Sequence, residues 1–320
     1  MSTFTSQKKM EKTIILASPR GFCAGVDRAI KIVEVALEKF GSPVYVRHEI
    51  VHNKRVVNEL AAKGAVFVKE LGEVPSGYPV IFSAHGVAKA VHQTAEELNM
   101  IAIDATCPLV TKVHIEASKH VQQGRHILLI GHAGHPEVIG TMGQVEASEI
   151  TLIETVEDAL AVQPPKDCDL AFATQTTLSA DETAEIITVL QHRFPEIRGP
   201  KGEDICYATT NRQNAVKAMA KDVDLYLVIG AQNSSNSKRL VETALKAGVA
   251  RAELIADANA LPFELIDDAA VIGLTAGASA PEILTDEVLA ALSERYQIEV
   301  ITQNFITEKM QFKLPSMLKK

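Results

Sequence analysis

The sequence predicts an α/β fold of three similar α/β domains with mostly parallel sheets. Short β-branched runs alternate with amphipathic stretches, which is the pattern of strands joined by helical crossovers. The same order of motifs recurs three times along the chain. Each repeat is about a hundred residues long, which is a usual domain size.

The predicted strands fall into three groups. The first group is TIILAS, VYVRHEI, AVFV and PVIFSA, the second is HILLIGH, ITLI and LAFATQ, and the third is LYLVIGA, AELI and AVIGLTAG. We therefore predict domains over residues 12–106, 107–205 and 206–300, followed by a C-terminal tail over residues 301–320.

Composition and charge restrict the class of function. Forty acidic against 32 basic side chains leave a net charge of -8, which argues against a nucleic-acid partner because phosphate binding needs clustered Lys and Arg. The hydrophobic share of 47% is that of a chain that buries a core. No run approaches the about 20 apolar residues of a membrane span, and the first residues lack the apolar core of a signal peptide. These observations predict a soluble cytoplasmic protein that does not bind membranes.

Three of the four cysteines occupy equivalent places in the repeats. Cys23, Cys107 and Cys206, the three repeat cysteines, each follow a strand or turn and precede a helical pattern, whereas Cys168 lies in a polar turn before a strand. In a reducing compartment each is a buried small hydrophobe, a reactive thiol or a metal ligand. The chain contains no C-x-x-C motif, which excludes ferredoxin and zinc-ribbon spacing.

The three repeat cysteines can share a metal only if the fold brings them together. A helix N-terminus is expected to lower the pKa of each thiol and to favour the thiolate. Structural zinc needs four ligands, and catalytic zinc more often uses histidine or a carboxylate. Three sulfur ligands fit better with a [4Fe–4S] cluster in which one iron lacks a protein thiolate. Cys168 as a fourth ligand is the alternative, although its polar turn argues against it.

Two polar loops follow the cysteine in each repeat, and each loop opens a helix. Because the carboxyl ends of parallel strands meet at one edge of a sheet, we expect the six loops to line one cavity. The candidate residues on these loops are His52, Asn53, His85, His135, Glu137, Thr176, Thr177, Ser234, Ser235, Asn236 and Ser279. Hydrogen-bond donors and free helix amides predict an anion site for phosphate or diphosphate. Three similar loops without a shared site are the alternative.

Glu137 is the only carboxylate among these loop residues. A buried anion nearby would raise its pKa, which would make it a proton donor. Two plainer interpretations stay open. Glu137 can be a first-turn acid that interacts with the helix dipole, and the Ser- and Asn-rich loops can be ordinary helix N-caps.

Taken together, the motifs resemble one known family. The chain contains, in order, PRGFCAGVDRAI, VHNKRVV, SAHGV, DATCPLVTKVH, GHAGHPEVIGT, TQTTLS, ICYATTNRQ, NSSNSKRL and TAGASAPE, from residue 19 to residue 282. This series resembles the 4-hydroxy-3-methylbut-2-enyl diphosphate reductase family, also called IspH or LytB. The resemblance implies reduction and dehydroxylation of an allylic diphosphate to isopentenyl and dimethylallyl diphosphates, the last step of the non-mevalonate isoprenoid pathway.

The resemblance also implies a pseudo-threefold arrangement of the three domains around a central cluster cavity. It further implies the cofactor, the electron donor and the roles of the site residues. One [4Fe–4S] cluster would be held by Cys23, Cys107 and Cys206, and a flavodoxin or ferredoxin would supply electrons. Glu137 would deliver protons to the leaving oxygen, and Thr176 would bind and position the substrate hydroxyl. The residues implied in diphosphate contacts are His52, His85, His135, Ser234, Ser235, Asn236 and Ser279.

Two other classes of protein stay open on the residues alone. Hydro-lyases also use a cluster with an open iron, but they remove water without net electrons. They act on carboxylates and would favour Arg, which the polar loops lack. The other class is a three-lobed anion-binding or redox-sensing protein, in which the cluster is structural or acts as a switch.

Overall fold

The computed structural model describes residues 9–166 and 168–319, so Lys320 of the predicted tail lies outside the described residues. The strands are β1 (Glu11–Ser18), β2 (Val44–Arg47), β3 (Ala65–Val68), β4 (Pro79–Phe82), β5 (Ile101–Asp104), β6 (Arg125–Ile130), β7 (Ile150–Ile153), β8 (Asp169–Thr174), β9 (Leu225–Ile229), β10 (Arg251–Ile255), β11 (Val271–Ala276) and β12 (Gln297–Asn304). Each of the predicted strand runs lies on one of these strands.

Helices alternate with the strands along most of the chain. The helices are α1 (Ala24–Phe40), α2 (Lys54–Ala62), α3 (Lys89–Glu97), α4 (Pro108–Gln122), α5 (Pro136–Met142), α6 (Val156–Ala161), α7 (Ala180–Arg193), α8 (Tyr207–Met219), α9 (Ser235–Lys246), α10 (Phe263–Asp268) and α11 (Glu282–Arg295). In the described part of the chain, no helix has both the length and the apolar composition to cross a membrane.

The strands form three sheets, and every strand pairing in the described residues is parallel. Their strand orders are β3-β2-β4-β5, β7-β6-β8 and β10-β9-β11-β1-β12. Arg198 extends the second sheet by one parallel bridge to Ala171, beside β8. The predicted α/β fold class with mostly parallel sheets is therefore confirmed.

The three sheets share one order of strands. In each sheet, the segment that leads to a repeat cysteine lies beside the strand that precedes the second polar loop. β5 precedes Cys107 beside β4, and the Arg198 bridge precedes Cys206 beside β8. The equivalent place beside β11 belongs to β1, which precedes Cys23. The sequence interpretation grouped β1 with β2, but its backbone pairs with β11 and β12. The repeat is thus circularly permuted, because the first strand of the chain completes the sheet of the third repeat.

Two strands were not predicted from the sequence, namely β5 and β12. Both lie at sheet edges, and the side chains of β12 (QIEVITQN) are mostly exposed. Edge strands bury little apolar surface, so their sequence pattern is weak. In contrast, buried strands such as β6 and β9 show the continuous apolar runs of parallel sheets.

Two compact units divide the described chain. One unit comprises residues 9–22 and 211–309, and the other comprises residues 23–166, 168–210 and 310–319. The second unit contains the three repeat cysteines and the first four polar loops, whereas the first unit contains the polar loops after β9 and β11. The domain limits given above stay a prediction.

The buried centre of the five-stranded sheet generates a stability prediction. Leu274 lies on the middle strand β11 and is fully buried, whereas Val300 lies on the edge strand β12 and is 43% exposed. We expect Leu274→Ala to lower the free energy of unfolding by about 2–5 kcal/mol, because it leaves a cavity in the core. Val300→Ala, as the control, should change it by less than about 0.5 kcal/mol. Urea denaturation measures both, and equal effects would contradict the prediction.

Candidate active site

The three repeat cysteines stand where helices begin, as predicted. Cys23 is the N-cap residue of α1, Cys107 is the N-cap residue of α4, and Cys206 directly precedes α8. The backbone amide of Cys107 donates a hydrogen bond of 3.0 Å to the carbonyl of Ala84. The amide of Cys206 donates one of 3.0 Å to the carbonyl of Thr176. These two cysteines are therefore attached to the second polar loop of the repeat before them.

A glycine keeps space open between two of the thiols. A Cβ atom on Gly25 would lie 2.7 Å from the sulfur of Cys107 and 3.8 Å from the sulfur of Cys23. Both sulfurs therefore face one small gap that any larger residue would fill. The pKa of Cys107 is raised in part by the charges of Cys23 and Cys206, so the third thiol lies within electrostatic range of the first two. The fold brings the three repeat cysteines together.

Cys168 has a different environment from the three repeat cysteines. Its thiol donates a hydrogen bond of 3.2 Å to the carbonyl of Pro165, within the polar turn before β8. No described contact joins it to the other thiols. Its contacts are those of a turn residue.

Burial governs the ionisation of two of the repeat thiols, Cys107 and Cys206. It raises the pKa of Cys107 to about 12, and the neighbouring thiols of Cys23 and Cys206 add to the shift. Burial likewise raises the pKa of Cys206 to about 11. The predicted effect of the helix N-termini is present, because backbone amides at both helix starts lower the pKa of these thiols, but the net pKa values are raised and not lowered. The amides of Leu109 and Val110 do favour the thiolate of Cys107, but desolvation outweighs them.

A single metal ion and an iron–sulfur cluster make different demands on this donor set. Within residues 9–166 and 168–319, no three His, Cys, Asp or Glu side chains are grouped to hold one ion. A zinc ion with Zn–S bonds of about 2.3 Å would need sulfurs about 3.8 Å apart. An iron–sulfur cluster is wider than one ion, takes thiolate ligands and stabilises their charge. Thiols that face a shared gap fit such a cluster better than they fit zinc.

Glu137 and Thr176 form a buried pair beside one of these thiols. One oxygen of Glu137 accepts the Thr176 amide at 2.6 Å, and the other accepts the Thr176 hydroxyl at 3.0 Å. Burial raises the pKa of Glu137 to about 7, with a further contribution from the charge of Asp204, although the Thr176 bonds oppose the shift. The pKa of Glu137 is thus raised, as expected of a proton donor. Burial in the protein interior is enough to raise this pKa, and no bound anion is needed for the shift.

Three histidines from three loops form a cluster, which we call the histidine cluster: His52, His85 and His135. The rings of His52 and His85 stack with centroids 4.1 Å apart. The ring of His135 stands edge-on to both, at 5.9 and 6.0 Å. His135 also caps α5 by accepting the Glu137 amide at 3.2 Å, and His52 bonds to Glu49 at 3.2 Å. The polar loops after β2, β4 and β6 therefore converge.

Burial disfavours the charged form of two of these rings, His85 and His135. It lowers the pKa of His85 well below its ordinary value, and the other two rings add to the shift. It lowers the pKa of His135 to about 4, again with a contribution from His52. A bound anion would favour the protonated forms, since an opposite charge nearby raises a histidine pKa.

The loops after β9 and β11 lie in the other unit and meet around Ser237. Ser234 caps α9, and its hydroxyl oxygen accepts the Ser237 amide at 3.4 Å. A Cβ atom on Gly277 would collide with the Ser237 hydroxyl, so these two loops are in close contact. Asn236 is 4% exposed, and both its amide nitrogen and its amide oxygen lack a partner. A buried unpaired amide is costly unless a ligand satisfies it.

The structure also shows site residues that the sequence analysis missed. Asp204 is buried, accepts the Thr174 amide at 3.0 Å and pairs with Lys112 at 3.1 Å. It stands two residues before Cys206. Because a single carboxylate in a polar segment resembles any surface acid, only its burial reveals it.

Three parallel sheets whose loops carry buried thiols, a protonatable carboxyl group and a histidine cluster define the class, an α/β enzyme. The model of the LytB protein family matches residues 14–293. The chain therefore belongs to the LytB (IspH) family and is an oxidoreductase.

Relatives across the whole length agree with this assignment. The 4-hydroxy-3-methylbut-2-enyl diphosphate reductase of Paracoccus denitrificans is 59% identical over 312 residues, which cover 98% of this chain and 99% of that protein. The solved structure of the E-1-hydroxy-2-methyl-but-2-enyl-4-diphosphate reductase of Plasmodium falciparum superposes with a TM-score of 0.92 at 37% identity, covering 98% and 97% of the two chains. A further solved reductase, described as the terminal enzyme of the non-mevalonate pathway, gives a TM-score of 0.64 at 32% identity over 88% and 99%.

The depressed pKa of His135 gives a prediction for stability against pH. As the pH falls below about 6.5, the unfolded chain binds a proton at this histidine before the folded chain does. The stability present above that pH is therefore lost progressively as the pH approaches about 4. We expect His135→Asn, which retains a capping side chain, to lose less stability over this range. Denaturant unfolding at several pH values measures the difference, with His192→Asn on α7 as the exposed control. Parallel profiles for wild type and His135→Asn would contradict the prediction.

Proposed function

We propose that this protein reduces and dehydroxylates (E)-4-hydroxy-3-methylbut-2-enyl diphosphate to isopentenyl and dimethylallyl diphosphates, the terminal step of the non-mevalonate isoprenoid pathway. The observation that carries the proposal is that the thiols of Cys23 and Cys107 face one gap beside Gly25, with Cys206 close enough to affect the pKa of Cys107. The names of the relatives supply the diphosphate substrate and the reduction, whereas the dehydroxylation and the two products follow from the family resemblance. A flavodoxin or ferredoxin donor and a cytoplasmic location stay predictions from the family resemblance.

The proposed cofactor is one [4Fe–4S] cluster with Cys23, Cys107 and Cys206 as ligands. When bound, it supplies single electrons and an iron without a protein ligand that can act as a Lewis acid. The chain supplies thiolates on rigid helix starts and the open space beside Gly25. Burial of the thiols keeps water from the reacting atoms.

The proposed proton source is Glu137. A carboxyl group with a pKa of about 7 is both protonated and deprotonated in comparable amounts at neutral pH, which suits a group that must give up and regain a proton. The Thr176 hydroxyl donates to a Glu137 carboxyl oxygen at 3.0 Å. When Glu137 is protonated, rotation of this hydroxyl would let it accept the Glu137 proton while it donates its own to a substrate hydroxyl. This transfer would let the hydroxyl of the substrate leave as water.

The proposed diphosphate contacts come from imidazoles, hydroxyls and one amide. The histidine cluster offers three rings, and an approaching anion would favour the charged forms of His85 and His135. The unpaired amide of Asn236 supports a ligand at the start of α9. The remaining proposed contacts are Ser234, Ser235 and Ser279. Binding the diphosphate away from the reacting carbon provides the energy to hold the allylic part in place.

Cysteine variants test the proposed cluster. We expect Cys23→Ser, Cys107→Ser and Cys206→Ser each to lose most of the iron and sulfide, because a hydroxyl is a poor substitute for a thiolate ligand. Cys168→Ser is the matched control and should keep both. Anaerobic iron and sulfide analysis with Mössbauer spectroscopy measures the outcome. Equal loss in Cys168→Ser would contradict the ligand assignment.

A carboxyl variant tests the proton path. We expect Glu137→Gln to keep the iron and to bind substrate but to lower turnover by about 10²–10⁴-fold, since the amide cannot deliver a proton. Glu157→Gln is the matched control, because Glu157 is also the second residue of a helix but is exposed. The assay measures anaerobic product formation with a chemical reductant.

Two results of that assay would contradict the assignment. Near-normal turnover in Glu137→Gln would remove Glu137 from the proton path. Turnover that needs no reductant would indicate a hydro-lyase instead of a reductase.

A further inference from the structure

Each repeat cysteine is followed by one basic residue in the first turns of its helix. Arg28 stands five residues after Cys23, and Lys112 stands five residues after Cys107. Arg212 stands six residues after Cys206. In a helix of 3.6 residues per turn, these spacings place the three basic side chains about one and a half turns from the thiols.

Arg28 binds the backbone directly before the next cysteine. Its guanidinium donates hydrogen bonds of 3.3 Å to the carbonyl of Ala105 and of 2.9 Å to the carbonyl of Thr106. Its Nε donates a third, of 2.9 Å, to the carbonyl of Lys313. A cation on the helix of Cys23 therefore holds the loop that ends in Cys107.

Lys112 makes the corresponding contact one repeat later. Its ammonium group donates a hydrogen bond of 3.2 Å to the carbonyl of Glu203 and one of 3.1 Å to the carboxylate of Asp204. The other oxygen of Asp204 accepts the amide of Thr174 at 3.0 Å, which attaches the segment to the end of β8. A cation on the helix of Cys107 thus holds the segment that ends in Cys206.

Arg212 makes the third contact. Its side chain is 1% exposed. The guanidinium donates a hydrogen bond of 2.8 Å to the carbonyl of Gly21 and one of 3.5 Å to the carbonyl of Phe22, the two residues before Cys23. The buried charge is balanced by Glu308 at 3.0 Å. A cation on the helix of Cys206 therefore holds the segment before Cys23, and the order of contacts returns to its start.

We propose that Arg28, Lys112 and Arg212 are positioning residues that hold the three cysteine segments for the iron–sulfur cluster, each acting through the segment before the next cysteine. The inference rests on the proposed function, because it takes the three repeat cysteines as the ligands. Hydrogen bonds from a charged donor are stronger than neutral ones. Their recurrence at one place in all three repeats separates them from incidental surface contacts.

The first test measures thiol placement without iron. In cluster-free protein carrying Cys168→Ser, dibromobimane joins two thiols only if they lie a few ångströms apart, and peptide mass spectrometry identifies the pair. We expect Arg28→Met and Lys112→Met to reduce cross-linking among the repeat cysteines. Arg28→Lys and Lys112→Arg, which retain the charge, should restore much of it. Lys31→Met on α1 and Lys119→Met on α4 remove exposed cations from the same helices and should match wild type.

The second test measures the cluster itself. After anaerobic reconstitution, Arg28→Met and Lys112→Met should bind iron about tenfold more weakly and show an altered electron paramagnetic resonance spectrum, as expected when outer residues stop orienting the ligands. Circular dichroism and thermal unfolding verify that each variant is folded. If the Met variants do not fold, Arg28→Lys tests the positioning role instead. Because one ammonium group cannot reach all three carbonyls, we expect this variant to show an intermediate loss of cross-linking and of iron affinity.

The results distinguish this inference from the proposed function. Wild-type cross-linking and iron affinity in folded Arg28→Met and Lys112→Met would overturn the positioning role, even if Cys23→Ser loses its iron. Full iron content in Cys23→Ser would instead overturn the ligand assignment, whatever the basic residues do. Wild-type values in Arg28→Lys, where the Met variants do not fold, would also overturn the positioning role.

Discussion

The placement of three thiols from distant parts of the chain is the constraint on which the rest of the site depends. Local sequence puts each repeat cysteine at the start of a helix, but it cannot set the distance between helices. That distance depends on backbone contacts, such as the bond from Cys107 to Ala84 and the bond from Cys206 to Thr176. It depends also on Arg28 and Lys112, which hold the segments before these cysteines.

Burial has one consistent electrostatic effect across the site. It raises the pKa of Cys107, Cys206 and Glu137, and it lowers the pKa of His85 and His135. Every one of these shifts favours the uncharged form, because charge is costly away from water. Such a site gains most from a cationic cofactor at the thiols and an anionic substrate at the imidazoles. Each would recover charge–charge stabilisation in surroundings of low dielectric constant.

The C-terminal segment contributes to both compact units. Residues 297–304 form β12 at the edge of the five-stranded sheet, and Glu308 balances the charge of the buried Arg212. Further along, the carbonyl of Lys313 accepts a hydrogen bond from Arg28, and Leu318 is buried. The segment predicted as a tail therefore takes part in the packing around two of the three cysteine segments.

The sequence by itself determined the α/β class, ten of the strands and the residues that a site of this kind needs. The information was local, since buried strands read as apolar runs and each polar loop precedes a helix. Only the tertiary structure decided that β1 completes the sheet of β9 and β11, that β5 and β12 pair at edges, and that burial outweighs the helix N-terminus at Cys107. Sheet partners and desolvation depend on which distant segments pack together, and no local pattern records that packing.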